Sequence, residues 1–255
     1  VCLKNLNKKD IQLNKTLRDH FNNKSRPLIF LGSSVALYKQ LEVCENVGIT
    51  VHGIIDQDYY GNTEQLCDLP VIDGQDCFQD PEKLEFYRNN FNFFCATNWT
   101  PEPAPVLVRN REKRKVLIDL IDQYELQCIS IIDPRARISK YTTVGQGCFI
   151  DGDVMIEHHV TIKDYVNIYC NNDIGHGSTI GRNCVIQRQG MLAADSILED
   201  DVFMAMRVTA LKQGARYGAG SFVQEGIYLR RGTVPGEVVS LKTENPSRVV
   251  GQIIE

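Results

Sequence analysis

The chain has 255 residues, 43% hydrophobic and 24% charged, with a net charge of −4. That is enough material for two buried cores, and it supplies no basic field for nucleic acid. No apolar run approaches the roughly 20 residues that cross a bilayer, and nine cysteines without a C-x-x-C pair read as free thiols of a reducing compartment. The expectation is a cytoplasmic, two-domain protein whose partners are small molecules, with no membrane span and no signal peptide.

Residues 1–26 are rich in Lys, Asn and Asp and carry a weak helical stripe (Ile11, Leu13, Leu17, Phe21), which suits an added helix or an extension. Residues 27–130 then alternate strand and helix. Leu28 to Leu31 reads as a buried strand and Gly32-Ser33-Ser34 as a turn. Leu37, Leu41, Cys44 and Gly48 mark a helix ending at glycine, and Thr50 to Ile55 is a second strand ending in Asp56. Asp80-Pro81 is a helix N-cap and first turn, Phe91 to Ala96 a strand, and Val116, Leu117, Leu120, Ile121 and Tyr124 the face of a further helix. This alternation predicts a small parallel sheet.

At Ile132 the period changes. An aliphatic residue recurs at every sixth position through Ile138, Val144, Ile150, Ile156, Ile162, Ile168, Ile174, Ile180, Ile186, Leu192, Leu198 and Met204, with a second inward position four residues after each. This is the hexapeptide repeat of a β-helix, in which three hexads close one triangular turn and side chains about 18 residues apart stack roughly 4.8 Å apart. Near Leu211 the phase slips by one residue, and Leu211, Tyr217 and Val223 are expected to continue the row. The β-helix fills 131–255, with Pro235, Gly236 and Asn245-Pro246 closing it before a short tail.

Gly32, Ser33 and Ser34, between a strand and a helix, offer free N–H groups and a positive dipole end to phosphate, although a plain tight turn reads equally well. Asp56 stands where an acceptor for ribose or base commonly sits, or is a solvated aspartate, and Asn98 lies at the same sheet edge. On the β-helix, His176 holds the third place of Ile174-Gly175-His176-Gly177-Ser178-Thr179, and His158 the same place 18 residues earlier. The two stack on one edge, where His176 is either a general base or a solvated turn histidine. A three-histidine zinc site is not expected, because no histidine follows His176.

With these residues in hand, the chain resembles the PglD/NeuD-type sugar acyltransferases, in which a small Rossmann-like nucleotide-binding domain precedes a left-handed β-helix. The resemblance covers nearly everything after about Pro27. It rests on Phe30-Leu31-Gly32-Ser33-Ser34, Gly53-Ile54-Ile55-Asp56, Ile131-Ile132-Asp133-Pro134, Ile174-Gly175-His176 and Glu244-Asn245-Pro246-Ser247-Arg248-Val249-Val250. It implies an N-acetyltransferase of polysaccharide biosynthesis that moves acetyl from acetyl-CoA to a nucleotide-linked amino sugar. The enzyme would be a homotrimer with sites between adjacent β-helices and no metal. His176 would be the base, Gly32 to Ser34 would face the diphosphate and Asp56 the nucleoside, and His158 and Asn98 would face the substrate. Ala194, Ala205 and Gly218 would lie along acetyl-CoA, with Ala194 donating its N–H to the oxyanion.

Two positions depart from the family pattern. Gly177 stands where an acidic residue usually follows the histidine, and Asp195, one coil on, is the expected replacement. Ser34-Val35-Ala36 replaces the glycine-rich first turn. A sugar O-acetyltransferase and a non-catalytic binding or assembly protein are the alternatives.

Overall fold

The computed structural model describes residues 24–97 and 104–240, which form two compact units, one ending at Ile131 and the other starting at Ile132. Residues 1–23, Asn98 and the stretch from Glu244 to Val250 lie outside the described residues.

The first unit is a five-stranded sheet. Its strands are β1 (Leu28–Leu31), β2 (Val51–Ile55), β3 (Gln65–Leu66), β4 (Leu69–Asp73) and β5 (Asn92–Cys95), in the order β3-β4-β2-β1-β5. The last four in that order run parallel, and β3 pairs antiparallel with β4. All four residues of β1 are buried, as a central strand covered on both faces requires. The helices are α1 (Leu37–Val47), α2 (Pro81–Asn90) and α3 (Ala104–Gln123). α1 ends at Gly48, whose left-handed backbone lets its N–H cap the carbonyls of Cys44 and Glu45. α2 begins as the sequence predicts, with the Asp80 carboxylate accepting from the N–H groups of Glu82 and Lys83.

Two details differ from the sequence reading. The inward stripe of α3 is Leu117, Ile118 and Ile121, while Val116 is exposed. The β3–β4 hairpin has no counterpart in that reading, because its strands are too short to show alternation. Cys67 and Asp68 form its turn with positive φ.

The second unit is a left-handed parallel β-helix. One two-residue strand per hexad stacks into three parallel sheets of six, five and seven strands. The first face runs through Met155–Ile156, Asp173–Ile174 and Met191–Leu192, the second through Thr161–Ile162, Thr179–Ile180 and Ile197–Leu198, and the third through Asn167–Ile168, Val185–Ile186 and Phe203–Met204. Partners are 18 residues apart, as in Ile156↔Ile174↔Leu192. The backbone ladder follows: Glu157 N–H donates to Ile174 O at 3.0 Å and Gly175 N–H to Leu192 O at 2.8 Å.

The aliphatic row is the core, and most of its members are at most 3% exposed. Burying one such side chain contributes about 1.5–3 kcal/mol. The corners are made by backbone conformation. Every sixth residue from Gly147 to Arg207 has φ between 56° and 70°. Most are not glycine, and each of those carries a strain of roughly 1 kcal/mol that the flanking ladder must outweigh.

The slip falls close to its expected place, but the row passes through Ala210, which is fully buried, whereas Leu211 is 41% exposed. The extra residue lies in the turn Leu211 to Ala215, and pairs beyond it are 19 apart, as in Ile197↔Arg216.

Candidate active site

The turns between the first and second faces share one corner. They carry Glu157-His158-His159-Val160, then Gly175-His176-Gly177-Ser178, then Ala193-Ala194-Asp195-Ser196. The register superposes His158, His176 and Ala194. The rings of His158 and His176 stack with centroids 5.0 Å apart and planes 19° apart. His158 also meets His159, Nδ1 to Nδ1 at 2.9 Å, and His159 stacks on Tyr141.

The edge of the His176 ring is held by a group the sequence reading did not single out. Oε2 of Glu157 lies 2.8 Å from Nδ1 of His176 and also accepts the backbone N–H of His176 at 2.8 Å. These hydrogen bonds hold the Glu157 carboxyl below its ordinary range. The carboxylate therefore accepts, Nδ1 donates, and Nε2 is the nitrogen left with its lone pair. The His176 side chain is 45% exposed. Glu157 lies 19 residues before His176, one coil plus one position, and that offset is the signal that could have found it.

Asp195, the expected partner, does not hold the ring. Its Oδ2 accepts from Gln213 Nε2 at 2.8 Å, while its Oδ1 lies over Gly177. A Cβ at Gly177 would sit 2.2 Å from that oxygen, and φ there is +70°. The position is closed to a side chain, acidic or otherwise, while Asp195 keeps its place.

Ala194 is half-buried, and its N–H donates to none of the described residues. One coil earlier the equivalent N–H, that of His176, is taken by Glu157. The residue that would reach Ala194 in the same way is Gly175, which has no side chain and whose missing Cβ would stand 2.6 Å from the Ala194 nitrogen. A free N–H therefore sits one coil, about 4.8 Å, from the His176 backbone.

Ala205 and Gly218 do not join Ala194. Their spacing is not a multiple of the coil, so the three residues fall on three different corners. Ala205 is buried with its N–H bonded to Val223 O at 2.9 Å, and Gly218 donates to Thr233 O at 3.0 Å beneath Pro235. Below His176, on the first face, an open groove of about 490 Å³ is lined by Arg137, Ile138, Ser139, Met155, Ile156, Glu157 and His158. Among the described residues no cluster of three His, Cys, Asp or Glu could hold a metal ion.

In the α/β unit, Gly32 turns the chain at φ +71° after β1. Ser33 Oγ donates to Asp56 Oδ2 and Ser34 Oγ to Ala96 O, both at 2.8 Å. Asp56 is fully buried, and its Oδ1 accepts from Asp58 N–H at 3.0 Å and Lys113 Nζ at 3.4 Å. It pins the turn and is closed to solvent. The N–H groups of Ser33 and Ser34 donate to none of the described residues.

A hexapeptide-repeat β-helix following a small α/β unit, with a corner histidine held by a carboxylate, defines the class of this chain by fold. Among solved structures with that fold are PerB from Caulobacter crescentus, in complex with CoA and GDP-perosamine, at 19% identity, TM-score 0.65, covering 85% of this chain and 92% of that one. The acetyltransferase domain of PglB from Neisseria gonorrhoeae, in complex with acetyl coenzyme A, matches at 16% identity, TM-score 0.68, covering 84% and 95%. WeeI from Acinetobacter baumannii matches at 16% identity, TM-score 0.65, covering 85% and 97%. No family model and no curated relative matches this chain. At these identities the likeness establishes the shared fold.

Proposed function

We propose that the protein is an acetyl-CoA-dependent N-acetyltransferase acting on a nucleotide-linked amino sugar, with His176 as general base. The observation that carries this reading is the corner itself. An exposed imidazole with Nδ1 tied to Glu157 stands one coil from an unused backbone N–H at Ala194. The sugar-nucleotide and CoA complexes of the structural neighbours agree with it.

The free amine attacks the thioester carbonyl and forms the C–N bond while His176 Nε2 takes the amine proton. The oxyanion receives the Ala194 N–H, then the C–S bond breaks and the departing thiolate takes a proton from His176. A positioned base contributes about 10²–10⁴-fold to such a step and one oxyanion donor about 10²–10³-fold. The turn at Gly32 to Ser34, with its free N–H groups, is the place for the diphosphate. The first face of the β-helix exposes Met155, Met191 and Tyr228, and we take it as the surface that meets neighbouring copies in a homotrimer.

Thiol release from acetyl-CoA, followed across a panel of nucleotide-linked amino and hydroxy sugars, tests the reading. Turnover with an amino acceptor, lost by at least about 100-fold in His176→Ala, is expected. Turnover only with hydroxyl acceptors would reassign the enzyme as an O-acetyltransferase. Full turnover in His176→Ala would end the general-base role.

A further inference from the structure

We infer that Glu157 is the positioning residue of His176, reaching it from the preceding coil where Gly177, directly after the histidine, supplies no side chain. The inference rests on His176 being the base. It goes beyond that reading by saying what fixes the proton on the ring.

A free imidazole exchanges its proton between two nitrogens, and only the form with Nδ1–H leaves Nε2 able to accept. Two contacts select that form and hold the ring. Oε2 of Glu157 meets Nδ1 at 2.8 Å, and the His158 ring covers one face at a centroid distance of 5.0 Å. The same oxygen binds the His176 N–H at 2.8 Å, so backbone and ring of one residue are clamped to one acceptor. The carboxylate cannot follow the ring elsewhere without giving up its bond from the backbone N–H. The register puts Ala194 one coil beyond His176, on the opposite side from His158, and the residues flanking His176 in sequence, Gly175 and Gly177, are small.

A carboxylate at 177 would do the same work with a shorter reach, but there Asp195 Oδ1 occupies the space a Cβ needs. The charge around Glu157 is consistent with its role. His176 and His158 face it and favour its ionised form, and Asp173 on the adjacent strand is the like charge beside it, itself raised chiefly by burial and then by Glu157. No lysine or arginine competes with His176 for Glu157 among the described residues.

The test uses the full chain with Glu157→Gln, Glu157→Ala and His176→Ala. Long-range proton–nitrogen correlation spectra at a pH where the ring is neutral report which nitrogen carries hydrogen, and His176→Ala assigns the signal. Wild type is expected to show Nδ1–H. Glu157→Ala is expected to move toward the Nε2–H form, with Glu157→Gln between them because an amide oxygen still accepts. In steady-state assays kcat is expected to fall about 10- to 100-fold in Glu157→Ala, part of the full contribution of the base, with KM for acetyl-CoA unchanged.

An unchanged tautomer in Glu157→Ala, or a kcat within twofold of wild type, would overturn the inference. If the wild-type chain transfers acetyl to no acceptor, the proposed function fails, and the spectra still decide the positioning role.

Discussion

Gly177→Ala probes the reasoning about the missing acidic neighbour most directly. Two costs are expected, and they have separate origins. The backbone at 177 has φ +70°, which an alanine adopts at roughly 1 kcal/mol above glycine. The new Cβ would also lie 2.2 Å from Asp195 Oδ1. The Asp195 carboxylate is free to rotate away, but it then loses its hydrogen bond from Gln213, worth about 0.5–1 kcal/mol. The sum is about 2 kcal/mol, or about 8 °C in the melting temperature of a unit of this size. Urea unfolding of wild type, Gly177→Ala, Asp195→Ala and the double variant separates the two costs. In the Asp195→Ala background the contact is gone and only the backbone part, about 1 kcal/mol, remains. An equal loss in both backgrounds would show that Asp195 is not what closes the position, and no loss in either would refute both parts.

Ile174→Ala removes a fully buried row residue directly before Gly175 and His176, and is expected to cost about 2–5 kcal/mol in urea unfolding because the stacked coils cannot collapse into the gap. Replacements of the two neighbouring acids should have opposite signs with pH. The Asp173 carboxyl is raised by burial and then by Glu157. Its charged form is therefore the disfavoured one, so Asp173→Asn is expected to raise the melting temperature at pH 7, with the gain fading as pH falls through the raised folded-state value and gone below the ordinary aspartate value of 3.8. Glu157 is lowered by its bonds from His176. Its contribution is present above the ordinary glutamate value of 4.5 and lost as pH falls through its depressed one, so Glu157→Gln should destabilise at pH 7 and become neutral in acid.

Period and punctuation determined much of this protein by themselves. A hydrophobic residue at every sixth position admits a triangular coil and neither a helix nor a flat sheet, and the 18-residue stacking of His158, His176 and Ala194 is arithmetic once that coil is accepted. Asp80-Pro81 and Gly48 marked helix ends because a carboxylate cap and a left-handed glycine act through bonds only a few residues long. The same arithmetic separates Ala205 and Gly218 from Ala194, because their spacing puts them on other corners.

What the tertiary structure decided is everything that depends on where a side chain goes after it leaves the backbone. Asp195 has the right register, yet its carboxylate turns to Gln213 and over Gly177. Glu157 is one position out of register, yet its longer chain reaches the ring one coil above. Ala210 took the inward place from the larger Leu211 because the extra residue fell after it rather than before. Sequence spacing fixes which backbone positions are neighbours to within a coil, about 4.8 Å, but a hydrogen bond is settled within a few tenths of an ångström by rotamers and the space left for them.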